Sequence, residues 1–405
     1  MLLLGFLALT STLRAQSTDH NYPIGKRSIT VPFTYENGFL VVNVTLNRTF
    51  PLRFILDTGA EHTLLTKPEI ANILGLKLGK RFTIQGSDHK RDLAAYLTRN
   101  VHMSMGDLQF PRQSLLVLEE DYFRFEEFSG VAIDGILGGN LLIRHAIRID
   151  YRRRTVTFTR ADRFEPPKAR YTQLPLKFYR NKPYLEVDVE LIPGEVIPVR
   201  LLLDTGAALP LMLYTETHPD LDLPPSVIRG NIGQGLGGFL TGFLGRTQEM
   251  NMDTAFQLQD LVTYFQELPP GVDTVNLYNR NGLLGNRVLR RFDVIIDYGK
   301  QHIYLRPNKY YRRPSEFDRS GLVVVGGGVS FHKYRVFAVL PDSPAAAAGL
   351  LPNDELLSVN GLPASMYSMS GIQRQLRKKV GKEVRVKVRR GSRILQMRFT
   401  LRDLI

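Results

Sequence analysis

Ile55-Leu-Asp-Thr-Gly-Ala60 recurs as Leu202-Leu-Asp-Thr-Gly-Ala207. Around it, Asp134-Gly-Ile-Leu-Gly-Gly-Asn-Leu-Leu142 returns as Asn281-Gly-Leu-Leu-Gly-Asn-Arg-Val-Leu289, and Ile147–Arg160 returns as Val294–Pro307. All three pairs share one offset, the 147 residues that separate Thr58 from Thr205. Three motifs in a single register mean duplication of one unit. A unit of that length is far beyond a solenoid repeat of about 20 to 45 residues, so the duplication predicts two equivalent lobes.

Each copy opens on strand-like alternation. Gly38-Phe-Leu-Val-Val-Asn-Val-Thr-Leu46 is matched in the second copy to Pro183-Tyr-Leu-Glu-Val-Asp-Val-Glu-Leu191, and both alternate as half-buried strands do. Short strands broken by Gly, Asn and Pro continue through both copies, and long helical patterns are scarce. Arg160–Arg170, with Pro166-Pro167, reads as the linker between lobes. Tyr310–Phe317, with Arg312-Arg313-Pro314, reads as the linker to a third unit. The expected units are therefore residues 25–160, 171–308 and 318–405.

An aspartate at the end of an apolar strand, a threonine able to lock a turn and a glycine that admits a second backbone form a turn when met once. Met twice in equivalent positions, they let Asp57 and Asp204 face each other at an approximate two-fold axis. Two carboxylates about 3 Å apart cannot both ionise and share one proton. The ionised partner can take a proton from water while the protonated one donates to a carbonyl, which is general acid–base hydrolysis without metal, cofactor or covalent intermediate. Such a pair titrates jointly, so acid and base are not assigned to single residues.

The chain resembles the retropepsin-like and pepsin-like aspartic proteases over roughly residues 25–308. The resemblance rests on Asp57-Thr58-Gly59-Ala60 with Gly135-Ile136-Leu137-Gly138, and on Asp204-Thr205-Gly206-Ala207 with Gly282-Leu283-Leu284-Gly285. It implies a mainly β, bilobal fold and peptide-bond hydrolysis by a water held between Asp57 and Asp204, with Thr58, Gly59, Thr205 and Gly206 supporting the loops. It also implies hairpin flaps over the cleft. In the second lobe Gly233, Gly235, Gly237 and Gly238 mark the candidate; in the first, the stretch Phe82–Leu97 with Gly86 does so with fewer glycines. Ala60 and Ala207 stand where pepsins usually carry a hydroxyl, so no side chain there favours carboxylate ionisation, and activity is expected at weakly acidic to neutral pH.

The third unit resembles a PDZ domain of the bacterial protease-associated type, a small α+β fold. Ser343-Pro-Ala-Ala-Ala-Ala-Gly-Leu350 and Asn353-Asp-Glu-Leu-Leu-Ser-Val-Asn-Gly361 carry the likeness, with Asn353 in place of the usual glycine. A helix over Ser370–Lys379 and a strand over Glu383–Arg390 complete the pattern. The resemblance implies capture of C-terminal peptides by strand addition, with Gly321, Leu322 and Val323 as the peptide-binding candidates. The end of the chain, Asp403-Leu404-Ile405, is expected as an ordinary final strand.

Composition narrows the remainder. The 405 residues include no Cys and no Trp, which excludes thiolate catalysis, disulfides and Cys-ligated metals. The eight histidines form no metal-ligand spacing. From Arg319 onward 15 Lys and Arg face 5 Asp and Glu, so most of the formal net charge of +14 sits in the last unit. The basic residues lack interleaved aromatics and a base-reading element, so nucleic acid is not an expected partner. The apolar run Leu2–Leu9 followed by Ala15-Gln16 reads as a signal peptide over residues 1–16, and no apolar run is long enough to span a bilayer. The expectation is an exported (secreted or periplasmic) aspartic endopeptidase, monomeric for catalysis, that acts on protein or peptide substrates and recruits partners through its PDZ unit. The alternative is a non-catalytic peptide-binding adaptor working through the PDZ unit.

Overall fold

The protein is described here as a computed structural model, over residues 22–86, 92–123, 125–168, 170–235, 238–268, 278–328 and 331–405. The expected signal peptide and flap residue Gly237 lie outside the described residues.

The first lobe contains β1 (Ser28–Glu36), β2 (Phe39–Leu46), β3 (Pro51–Leu56), β4 (Leu64–Leu65), α1 (Pro68–Ile73), β5 (Arg81–Gln85), β6 (Asp92–Met105) and β7 (Leu108–Leu118). It continues with α2 (Phe125–Ser129), β8 (Gly135–Leu137), α3 (Gly139–Leu142), β9 (His145–Asp150) and β10 (Thr155–Arg160). The second lobe repeats the plan with β11 (Thr172–Pro175), β12 (Lys177–Tyr179), β13 (Lys182–Glu190), β14 (Val196–Asp204), β15 (Leu211–Tyr214) and β16 (Ile228–Gly235). It ends with β17 (Gly238–Met252), β18 (Phe256–Gln266), β19 (Gly282–Gly285), α4 (Asn286–Leu289), β20 (Phe292–Asp297) and β21 (His302–Pro307).

The lobes join through one sheet. Its order places β20 beside β9, with β21 and β11 on one flank and β10 and β1 on the other. In the β9–β20 register Arg148 pairs with Ile295, which is its own counterpart in the repeat, so the approximate two-fold axis runs through that pair. Apolar side chains of both lobes, among them Phe33, Ile147, Leu201 and Ile296, form one continuous core beneath this sheet. Asp150 and Asp297 close the β9–β10 and β20–β21 turns in the same way, with Asp150 Oδ1 accepting from the Arg152 and Arg153 amides and Asp297 Oδ1 from those of Gly299 and Lys300.

Register corrects one detail of the sequence pattern. Val41 pairs with Ile55, and Tyr184 with Leu202; each partner lies two residues before the aspartate of its lobe. Counted from the aspartates, the counterpart of Gly38 is Asn181, not Pro183, because the β13–β14 hairpin is two residues longer on each strand. A slip of two leaves the alternation of faces unchanged, so the pattern alone could not detect it.

The C-terminal unit has its own core, built around Tyr334, Val336, Ile372, Val384 and Val388. It comprises β22 (Leu322–Gly327), β23 (Lys333–Val339), α5 (Pro344–Ala347), β24 (Glu355–Val359), β25 (Leu362–Pro363), α6 (Met369–Leu376), β26 (Glu383–Arg390) and β27 (Arg393–Thr400). The sheet runs β22-β23-β24-β26-β27, leaving β22 at one edge. Helix α6 starts at its Ser368 cap, whose Oγ accepts from the Gly371 amide at 3.1 Å, and ends three residues short of the expected Lys379. The terminal tail is not a strand: β27 stops at Thr400, and Ile405 packs against an apolar cluster of the second lobe with Met212 and Leu244.

Candidate active site

Each D-T-G loop leaves a strand and is overlaid by the apolar-apolar-Gly strand of its own lobe. β8 lies between β3 and β4, parallel to β3, and β19 lies between β14 and β15 in the same manner. The inserted strand is crowded: a β-carbon at Gly135 would stand 2.6 Å from the Leu64 carbonyl oxygen, and one at Gly282 would collide with that of Met212. The glycines at the head of the two repeated motifs therefore let a third strand thread beside the loop. The Asp57 amide donates to the Leu137 carbonyl at 3.0 Å, which ties the first loop to β8.

The two loops interlock across the axis. Thr58 Oγ1 donates to the Leu203 carbonyl at 2.6 Å and accepts from the Thr205 amide at 3.1 Å. Thr205 Oγ1 donates to the Leu56 carbonyl at 2.7 Å and accepts from the Thr58 amide at 3.0 Å. Both threonines are fully buried. Behind them, Asn286 Nδ2 donates to the carbonyl of Gly38 at 2.9 Å and to that of Thr205, while its Oδ1 accepts from the Tyr151 hydroxyl at 2.8 Å. Its counterpart Gly139 has no side chain, and the Asn181 carbonyl oxygen lies 2.7 Å from where its β-carbon would be.

Asp57 Oδ1 accepts from the amides of Gly59 and Ala60 at 2.7 and 2.9 Å, and Asp204 Oδ1 from the Gly206 amide at 2.8 Å. These bonds hold each carboxyl against the glycine of the opposite loop, so that the two face each other across the axis. Burial, then the charge of Asp204, pushes Asp57 well above the usual carboxylate range, against the pull of its two amides. Burial also raises Asp204, opposed by the bond from Asp57, its own amides and the Arg280 charge. A pair so placed holds one proton between its members over a broad pH range.

Residues 42–141 match the family model described as Aspartyl protease, and residues 335–390 match that described as PDZ domain. The chain carries an aspartyl protease domain and a PDZ domain. No curated protein matches it. Among solved structures, an aspartic proteinase from Irpex lacteus resembles it at 14% identity and a TM-score of 0.46, over 71% of this chain and 99% of that one.

Both flap candidates of the protease unit are hairpins. β5 and β6 form one, with Gly86 at the end of the described part of β5's side; β16 and β17 form the other, with Gly235 paired to Gly238 and an irregularity between Asn231 and Gly233. Gly230, at the flap's outer strand, lies against the PDZ domain: its β-carbon position is 2.5 Å from Leu340 Cδ2.

In the PDZ domain the candidate carboxylate loop is already engaged. Asp318 Oδ1 accepts from the Ser320 amide, the Ser320 hydroxyl and the Gly321 amide at 2.9, 2.7 and 2.7 Å, and the Leu322 amide donates to Ser320 Oγ at 3.1 Å. Val323 continues into β22. That edge strand packs beside α2 of the first lobe, where the Phe128 and Phe337 rings meet edge-to-face at 5.5 Å and the Gly130 β-carbon position is 3.1 Å from Met369 Cβ. Lys67 bridges Glu126 of α2 at 2.5 Å and Asp134 at 3.2 Å, anchoring α2 to the first lobe.

Sequence reasoning missed Glu61, Lys182 and Arg280, charged groups close to the dyad. Glu61 and His62 follow the first loop, 3.4 Å apart. Arg280 Nη2 donates to the Tyr214 hydroxyl at 3.1 Å, with its guanidinium 5.5 Å from that ring, and Lys182 starts β13. The signal was available in the repeat: Arg280 stands where the first copy has Ile133, and Asn286 where it has Gly139. Departures from internal symmetry next to the dyad are informative in a way that the matches are not.

Proposed function

We propose that this protein is an aspartic endopeptidase in which Asp57 and Asp204, sharing one proton, activate a water for attack on a peptide carbonyl. One observation carries the reading: two half-buried carboxyls, one from each half of a duplicated fold, face each other on loops locked by reciprocal threonine bonds. In the attack step the ionised member accepts a proton from the water as the protonated member donates to the carbonyl oxygen. In collapse of the resulting diol the first carboxyl gives its proton to the leaving amine and the second takes one back from a diol hydroxyl, which restores the singly protonated pair. Both members come from one chain, which supports catalysis by a monomer. The PDZ domain serves to bring in a protein segment at β22, and a ligand there has to displace α2. Export, secreted or periplasmic, is proposed on the apolar run at Leu2–Leu9.

The test is cleavage of denatured proteome-derived peptides by the full chain, by Asp57→Asn and by Asp204→Asn. Turnover by the wild type, lost in both variants and blocked by a statine-type inhibitor, is the expected result. Peptide binding without turnover by the wild type would favour the adaptor reading instead.

A further inference from the structure

Viewed from the dyad, the two lobes build matching corners, and the corners have diverged. In the first lobe Phe39, Val41, Ile55 and Ile133 form an apolar cluster closed by Phe125 of α2. The residues in the same places of the second lobe are Lys182, Tyr184, Leu202 and Arg280, so two apolar side chains have become cations and a third a tyrosine. Tyr278 lies beside Tyr184 with ring centroids 5.1 Å apart.

These cations address the site. The tip of the β12–β13 hairpin, Arg180-Asn181, crosses to the first lobe, where the Asn181 carbonyl abuts Gly139, whose amide donates to the Ala60 carbonyl at 2.8 Å. Arg180 and Lys182 are thereby brought to the loop that carries Asp57, Glu61 and His62. Burial, Arg280 and Arg180 lower the Lys182 ammonium from its ordinary value, against the attraction of Glu61 and Asp57. Burial also lowers His62, and Lys182 and Arg180 oppose its protonation against the pull of Glu61. Arg280 acts on the other carboxyl, Asp204, and its buried Nε has no hydrogen-bond partner. Among the described residues none of Arg180, Lys182 and Arg280 has a carboxylate at ion-pair distance. Three cations face Glu61 and a dyad that carries one negative charge when singly protonated. Lys182 and Arg280 are half-buried and Arg180 is exposed; cations so grouped without a full complement of counter-charge are stabilised by an incoming anion.

We propose that this corner is a cationic subsite that takes an acidic side chain of the substrate close to the scissile bond, and that Lys182 and Arg280 are its specificity-determining residues. The proposal rests on the cleft being a substrate cleft and adds the chemical class that it selects: peptides with Asp or Glu on one side of the cut. The matching first-lobe corner, filled by Phe125, offers no such charge, so the preference is confined to one side.

The test uses the full chain and an octapeptide library in which Glu, Gln or Lys is fixed at each position in turn, with cleavage read by mass spectrometry. Glu is expected to exceed Gln at least tenfold in kcat/KM at a single position near the cut. Lys182→Glu and Arg280→Glu are expected to reverse the order in favour of Lys, each judged by the ratio of two peptides on the same variant. Cleavage with Glu equal to Gln everywhere, or a Glu preference untouched in both variants, overturns the proposal while leaving the hydrolase intact. If no peptide is cut, hydrolysis itself fails. The subsite is then judged by retention of the same library on immobilised Asp57→Asn chain: Glu enrichment that disappears in the Asp57→Asn, Lys182→Glu double variant supports it, and the absence of enrichment overturns it.

Discussion

Gly206 lies so close against Asp57 that a β-carbon on it would fall onto the carboxyl, and Gly59 stands in the same relation to Asp204, its β-carbon position 2.6 Å from Cγ. Each glycine thus makes room for the catalytic candidate of the opposite lobe. Gly206→Ala is expected to displace Asp57 and lower turnover by about 100-fold or more, the scale of a 1 Å misplacement, with the far-UV circular dichroism unchanged. Turnover within a few-fold of wild type would mean that the carboxyls do not work at this separation.

Because folding raises the pKa of Asp57 and of Asp204, the native state holds their shared proton more tightly than the unfolded chain does. Stability from this source is therefore present at low pH and is lost as pH rises from the unfolded carboxylate range, about 4, through the raised value of the pair. Asp57→Asn removes the repulsion. Its melting temperature is expected to exceed that of the wild type at neutral pH, with the gap closing on acidification. A gap independent of pH would show that the two carboxyls are not coupled.

The amide of Ala60 already donates to Asp57 Oδ1, and neither Ala60 nor Ala207 offers a hydroxyl as well. Ala60→Ser with Ala207→Ser adds donors that favour the ionised carboxyls, and so is expected to move the pH–rate profile downward. An unmoved profile would remove the link between these alanines and the working pH.

The duplicated part of the molecule was legible because it is written twice. A shared offset and a D-T-G beside an apolar-apolar-Gly strand require no knowledge of packing, and they gave the lobes, the dyad and the threading strands. The two-residue lengthening of the β13–β14 hairpin was not legible, since a period of two hides a slip of two. Neither was the placement of Lys182, which depends on a turn crossing to the other lobe, nor the seat of α2 against β22. Those relations join residues far apart in sequence and leave no local pattern. Ile405 shows the same limit, since a short tail of mixed polarity carries no signal of the apolar cluster that receives it.

His145 is fully buried at the start of β9, with the rings of Tyr22, Phe110 and Phe158 about it. Burial pushes its imidazole down to about 4. The unfolded chain takes up that proton near 6.5, so stability present at neutral pH is lost as pH falls from there to the folded value, by up to about 3 kcal/mol. The dyad acts in the opposite direction, so the comparison is best made in the Asp57→Asn background. There His145→Phe is expected to flatten the acid limb of the melting curve between pH 6.5 and 4. An equally steep limb would assign the acid lability to other groups.

The contact between α2 and the PDZ domain yields the last prediction. β22 is an edge strand of the PDZ sheet and, in the proposed function, the edge to which a peptide strand adds; Phe128 and Phe337 hold the first lobe beside it. An aromatic pair of this geometry contributes about 0.5–1.5 kcal/mol beyond the area it buries. A ligand at β22 binds only the fraction of molecules in which the contact is open, so its apparent affinity is reduced by that fraction. Phe128→Ala weakens the contact without touching the PDZ core. The β22 amides are expected to exchange hydrogen several-fold faster, those of β26 and β27 to remain as they were, and immobilised peptides with free C-termini to retain more of the variant than of the wild type. Faster exchange without any gain in retention would show that α2 braces the PDZ domain rather than guarding its edge. Unchanged exchange at β22 would mean that the contact does not hold that edge.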